Sequence, residues 1–264
     1  MFNIIIGQYV PGQSVIHRLD PRAKLLAVFL FVIIIFLANN WVTYALAIIF
    51  TLLGVFLSKV PVRFIYRGLK PIIIIIIFTF ILNVLFTKEG ELLVSYGWFH
   101  IYEGGLIQAV FISMRLLVII VATTLLTLTT SPIDITDGLE ILLGPLKKIK
   151  LPVHEFALMM SIALRFIPTL LEETEKVMKA QSARGSDFTS GSLKSRVKAI
   201  IPLLVPLFVG AFKRAEELAM AMEARGYRGD VGRTRLRQLI WSLSDTFLML
   251  VTLFLTAALF ILRG

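Results

Sequence analysis

Cysteine is absent from this chain of 264 residues, which excludes disulfides, thiolate metal sites and cysteine nucleophiles. Histidine is scarce, and His17, His100 and His154 are too scattered to suggest a metal triad. No G-x-x-x-x-G-K-S/T run is present, so the chain has no P-loop for ATP. It also lacks G-x-S-x-G, H-E-x-x-H and paired aspartates inside its apolar runs. Charged residues make up only 17% of the chain. Its acids sit with bases on helix faces, as in solvated i,i+4 pairs. Nothing in the sequence carries recognisable catalytic chemistry.

Apolar sequence fills the chain instead. Hydrophobic residues reach 57% and the mean hydropathy is +0.86, whereas soluble domains hold about 45–50% apolar residues. Runs approaching the ~20 residues of a membrane helix occur at Lys24–Ala38, Trp41–Leu57, Pro71–Phe86, Leu106–Thr129 and Leu239–Leu262. The expected fold is an all-α polytopic membrane protein with about five transmembrane helices. The β-branched run Ile72–Ile77 suits a strand in water, but a lone strand in lipid leaves its backbone unpaired, so helix is expected. The first apolar run follows a polar arm and has no small-residue cleavage site, so it reads as a retained span. The net charge of +10 is scattered over loops and helix flanks. That favours membrane topology and no nucleic-acid partner.

Orientation follows from the basic loops. Arg18, Arg22 and Lys24 precede the first span, and Lys59, Arg63, Arg67 and Lys70 follow the second. Asn39-Asn40 is neutral, and Thr87–Gly105 sets Lys88 against Glu89, Glu91 and Glu103. Positive-inside places the N-terminus and the block 131–238 in the cytoplasm and the C-terminus outside. The external stretch Leu92–Tyr102, with Tyr96-Gly97 at its middle, predicts a small β-hairpin.

Three parts are expected: an arm and four spans over 1–130, a cytoplasmic domain over 131–238, and a last span over 239–264. In the middle part Ser131-Pro132 gives a helix start. Asp137-x-x-Glu140 reads as a capping box for a short helix ending near Gly144-Pro145. Two long helices follow, from about Val153 to Arg184 and from about Leu193 to Arg225. Each is apolar in its first half and charged in its second. Pro168, Pro202 and Pro206 lie inside them and are expected to act as kinks. The Ser/Gly-rich link Ser186–Ser192 joins them.

Both helices close on the same tripeptide, Ala183-Arg184-Gly185 and Ala224-Arg225-Gly226, 225 − 184 = 41 residues apart. One reading is a helix end, with glycine as the left-handed cap and arginine complementing the dipole. The other is a pair of docking points, because an exposed guanidinium bonds carboxylates bidentately. Arg115 stands inside the fourth span and needs a partner or water, either a structural pair or a contact to another subunit or a lipid headgroup. The arm, Gly7-Gln8-Tyr9-Val10-Pro11-Gly12-Gln13-Ser14 followed by His17-Arg18-Leu19-Asp20-Pro21-Arg22-Ala23-Lys24, reads as a turn-rich segment along the inner interface.

The stretch 126–185, LTLTTSPIDITDGLEILLGPLKKIKLPVHEFALMMSIALRFIPTLLEETEKVMKAQSARG, closely resembles the transmembrane T component (EcfT) of energy-coupling factor transporters. The arm with His17, Leu19-Asp20-Pro21-Arg22 and Lys24, and the end MAMEARGY, fit the same family, so the resemblance covers essentially the whole chain. It implies a non-catalytic scaffold in the cell membrane with two long crossing helices in a cytoplasmic coupling domain. Its partners would be two ABC-type ATPases, which carry ATP and Mg, and one S component that binds a vitamin or metal ion. The chain itself would bind no cofactor. Ala183, Arg184, Gly185, Ala224, Arg225 and Gly226 would dock the ATPases. Leu158, Ile162, Leu164, Leu203, Leu204, Leu207 and Phe208 would form the platform for the S component. A self-sufficient secondary transporter is the alternative. It would need carboxylates or breaks at the middle of the spans, and apart from Arg115 the middles of the spans carry neither.

Overall fold

The computed structural model describes residues 9–96, 99–186, 193–229 and 238–263. Gly7 and Gln8 of the arm, the Gly97 turn and positions 187–192 of the link lie outside the described residues. Among those described, the chain is helical apart from one hairpin: α1 (Val15–Arg18), α2 (Pro21–Ile34), α3 (Trp41–Ser58), α4 (Val62–Phe86), β1 (Leu92–Tyr96), β2 (Phe99–Tyr102), α5 (Glu103–Thr129), α6 (Pro132–Leu142), α7 (Val153–Ala183), α8 (Leu193–Ala224) and α9 (Leu243–Ile261). It divides into two compact units, Met1–Leu142 with Gln238–Gly264, and Leu143–Arg237.

The first unit is a bundle whose helices start where the sequence supplies caps. Asp20 caps α2, its side chain accepting the Arg22 N–H, with Pro21 at the first helical position. A reciprocal Asn40–Thr43 box opens α3, and a Ser242–Asp245 box opens α9. Lys59, at φ 53°, ends α3 in the left-handed region. The core joins Phe31, Ile34 and Ile35 to Tyr44 and Ala47, Val118 and Ala122, and Leu255 and Leu259. Lipid is as apolar as these side chains, so close packing rather than water exclusion holds the helices together. Small residues permit that packing. A Cβ on Gly68 of α4 would sit 2.8 Å from Thr124 Cγ2 of α5. The opposite face of α4 is bare, with Ile74 72% exposed, as a lipid-facing surface should be.

α2 and α9 run side by side in the same direction. At one end the Asp245 carboxylate accepts the Asp20 N–H at 2.7 Å. At the other, Asn39 Nδ2 donates to the Arg263 carbonyl (2.9 Å) and Asn40 Nδ2 to the Leu262 carbonyl (3.2 Å). With its following 3-10 turn, Ile35–Leu37, α2 covers about 27 Å, and α9 covers about 28 Å. By length and composition alone α3, α4, α5, α7 and α9 can cross a membrane. α2 is too short by itself, but its pinned ends carry it across the same thickness as α9.

Two local expectations are corrected. α4 starts at Val62, nine residues before Pro71, which lies inside the helix. The basic residues Arg63, Arg67 and Lys70 therefore extend the helix past the apolar run, and only one intrahelical bond is lost at the proline. Asp137 and Glu140 lie within α6 and do not open a helix. The working cap is Ser131, whose Oγ accepts the Asp134 N–H (3.1 Å) and donates to Asp134 Oδ2 (2.7 Å). The hairpin forms as expected, with β1 and β2 antiparallel. Arg115 takes the structural role. Its Nη2 donates to the Ala38 carbonyl at 3.1 Å and its guanidinium lies 5.1 Å from the Phe36 ring.

Candidate functional site

Among its described residues, the second unit holds a 3-10 turn at Gly144–Ile149 and the long helices α7 and α8. α7 and α8 run antiparallel, since His154 meets Tyr227 (Nε2 to Oη 3.4 Å) while Glu173 pairs with Arg214. Ile162, Phe166, Ile167 and Leu170 face Leu218, Ala219 and Met222 across an apolar cleft of about 440 Å³. The Glu173–Arg214 ion pair stands at one end of this cleft. Both helices stay helical through Pro168, Pro202 and Pro206.

Each Ala-Arg-Gly copy closes its helix with the same hydrogen-bond pattern. In the first, the Gly185 N–H donates to the Ser182 carbonyl and the Ser186 N–H to Gln181. In the second, Gly226 donates to Glu223 and Tyr227 to Met222. These are paired Schellman ends, and they satisfy carbonyls that the last turn leaves open. Gly185 (φ 88°) and Gly226 (φ 71°) occupy the left-handed region, and nothing lies within 4 Å of a Cβ built on either. Backbone conformation, not crowding, therefore selects glycine here.

The helix-end reading thus holds for both copies, and it leaves the arginines available. Arg184 and Arg225 are exposed, and among the described residues neither has an ion-pair partner. The antiparallel pairing sets them at opposite ends. Arg225 lies next to Tyr227 and the His154 end of α7. Arg184 lies about 45 Å of helix away along α7.

The apolar halves of α7 and α8 are not covered. On α8, Ile201, Leu204, Val205, Phe208, Val209 and Phe212 recur at helical spacing and all are exposed, Phe212 to 72%. Phe156, Met159 and Met160 are exposed on α7. Of the expected platform residues, Leu204 and Phe208 lie on this exposed face, Leu158, Leu164 and Leu207 are half-buried, Leu203 is buried, and Ile162 lines the cleft. The charged halves carry solvated groups, such as the exposed Glu175–Lys179 pair at 2.8 Å.

Sequence reasoning missed the role of the first turn of α2. Arg22 grips Asp20 with two bonds, Nε to Oδ1 at 3.0 Å and Nη2 to Oδ2 at 2.7 Å. It also donates to the Leu239 carbonyl (3.1 Å) and stacks 5.7 Å from the Trp241 ring. Burial pushes the Asp20 carboxyl up, but the Arg22 hydrogen bonds and nearby charges outweigh this and hold it below the ordinary 3.8. Lys24 is buried and donates to the Thr129 carbonyl at 3.0 Å. In the sequence, the one local trace is Asp245 at the mouth of an apolar run, and by itself it reads only as a helix cap.

Residues 12–236 match the cobalt transport protein family, CbiQ. The chain is 64% identical over its full length, and over all of the relative, to the energy-coupling factor transporter transmembrane protein EcfT of Bacillus subtilis (strain 168). It is 60% identical to the protein of that name from Brevibacillus brevis, over 96% of each chain. It is 55% identical to the one from Macrococcus caseolyticus, over 99% of this chain and 98% of the relative. With its membrane helices and its match along nearly the whole length, the chain belongs to the CbiQ/EcfT family of energy-coupling factor transporter transmembrane components.

Proposed function

We propose that this chain is the scaffold through which ATP-driven motion of two cytoplasmic ABC-type ATPases reaches a membrane S component. Carrying this reading is the pair of exposed arginines, without an ion-pair partner among the described residues, each on a Schellman end, at opposite ends of one antiparallel helix pair. A pair of separate sockets suits two anchors held about 45 Å of helix apart. Each guanidinium offers a bidentate fork to a carboxylate in its socket. In this reading ATP and Mg stay on the ATPases, and the chain performs no catalysis.

The exposed apolar face of α8 supplies the surface for the S component, which carries a vitamin or metal ion. When the ATPases close and reopen, the anchored ends move and the crossing of α7 and α8 changes. The S component then tips and releases its substrate inside. Arg18, Arg22, Lys59, Arg63, Arg67 and Lys70 favour a cytoplasmic location for the arm and α7–α8 in the cell membrane.

The test is Arg184→Ala with Arg225→Ala in the co-expressed complex. Loss of co-purified ATPases and of uptake is expected, with each single variant milder. Retention of both at wild-type levels would refute the reading.

A further inference from the structure

The chain enters the second unit after Leu142 and leaves it before Gln238. On each side of that boundary, a segment of the first unit touches the start of α2. On the entry side, a Cβ at Gly138 of α6 would lie 3.2 Å from Leu25 Cδ1 and 3.4 Å from Pro21 Cβ, so the two helices touch there almost backbone to backbone. On the exit side, Arg22 donates to the carbonyl of Leu239, one residue past the crossing, and lies against Trp241. Asp20 completes the joint. Its carboxylate orients Arg22 and its own N–H is taken by the buried Asp245.

We infer that Asp20 and Arg22 are positioning residues, and that the first turn of α2 is the fixed mount from which both connections to the α7–α8 unit spring. This rests on the coupling reading above and extends it. A lever does work only if its base holds. With both connections tied to one turn of one spanning helix, displacement of the arginine ends deforms the α7–α8 pair. With the mount loosened, the same displacement would shift the connections and be dissipated. The acid, the fork and the indole have distinct jobs. Asp20 fixes the guanidinium plane, Arg22 fixes the chain at Leu239, and the Trp241 ring lies against the guanidinium.

The experiment uses the whole complex in liposomes, with ATP hydrolysis and uptake of the S component's labelled substrate measured together. Arg22→Lys and Arg22→Ala should leave the co-purified ATPases and their hydrolysis near wild type, while uptake per ATP falls about tenfold in the alanine variant. Misfolding would lower both quantities together, so the ratio separates positioning from stability. An unchanged ratio in both variants overturns the inference.

A second arm does not depend on weakening the fold. In this cysteine-free chain, Pro21→Cys with Gly138→Cys places two thiols at nearly disulfide spacing. Oxidation should leave uptake intact, because a fixed mount does not move; blocked uptake restored by reduction overturns the inference. If Arg184→Ala with Arg225→Ala keeps ATPases and uptake in the same membranes, the coupling reading itself has failed, whatever the α2 variants do.

Discussion

Asp245 Oδ1 accepts the backbone N–H of Asp20 at 2.7 Å, although 225 residues separate them. Asp245 is 1% exposed. Its other oxygen takes the N–H and Oγ–H of Ser242, so one carboxylate both starts α9 and ties it to α2. Asp245→Ala leaves the Asp20 N–H without an acceptor and should cost about 1–3 kcal/mol in thermal unfolding in detergent. Asp245→Asn keeps an oxygen there and should lose clearly less. Equal losses would mean that the hydrogen bond to Asp20 is not what stabilises this end.

Acid should weaken the same region through Asp20. Its carboxyl titrates below the ordinary 3.8 because Arg22 favours the charged form more than burial disfavours it. A folded-state value below the unfolded one adds stability that is complete above about pH 5 and is lost as pH falls through the folded-state value. The gap in melting temperature between the wild type and Asp20→Asn should therefore be full at neutral pH and close at strongly acidic pH. A gap independent of pH would contradict the Arg22 contribution.

The α4–α5 crossing offers a test of packing. Gly68→Ala puts a methyl 2.8 Å from Thr124 Cγ2, and overpacking of this kind costs about 1–3 kcal/mol. Thr124→Ala removes the offending atoms. The double variant should recover more than half of the loss in a double-mutant cycle, whereas additive losses would show that the two helices are not in contact there.

The helix ends permit a cleaner substitution. Gly185→Ala and Gly226→Ala meet no neighbour within 4 Å, so the cost is conformational, about 1 kcal/mol each. Hydrogen exchange should quicken in the last turn of the helix concerned and stay unchanged in α2 and α9. Changes spreading into the spans would contradict a purely local cap.

Much of this was legible because lipid simplifies the code. Every backbone group in the bilayer must bond internally, so the apolar runs had to be helices. The ends of α7 and α8 were readable from glycine, as Gly185 and Gly226 follow the last helical turns. α2 was harder, since its own 14 residues fall short and a 3-10 turn and two asparagines finish the crossing. Asp137 and Glu140 misled because S-x-x-D at Ser131 competes for the same helix start, and Pro132 fixes the earlier one. The Asp20–Asp245 bond could not be read at all. Local spacing carries no information about a partner 225 residues away, and an aspartate at a helix start is ordinarily just a cap. For the same reason the antiparallel match of Glu173 to Arg214 had no local signature.

Site-specific crosslinking tests the central claim most directly, because the chain brings no thiol of its own. Ala183→Cys and Ala224→Cys each place one thiol on an exposed helix end beside an intact arginine. With a short bifunctional reagent in membranes containing the whole complex, each thiol should capture an ATPase subunit, and ATP should change the yield. Capture of no ATPase from either position, in a complex that still hydrolyses ATP and transports, would contradict the account.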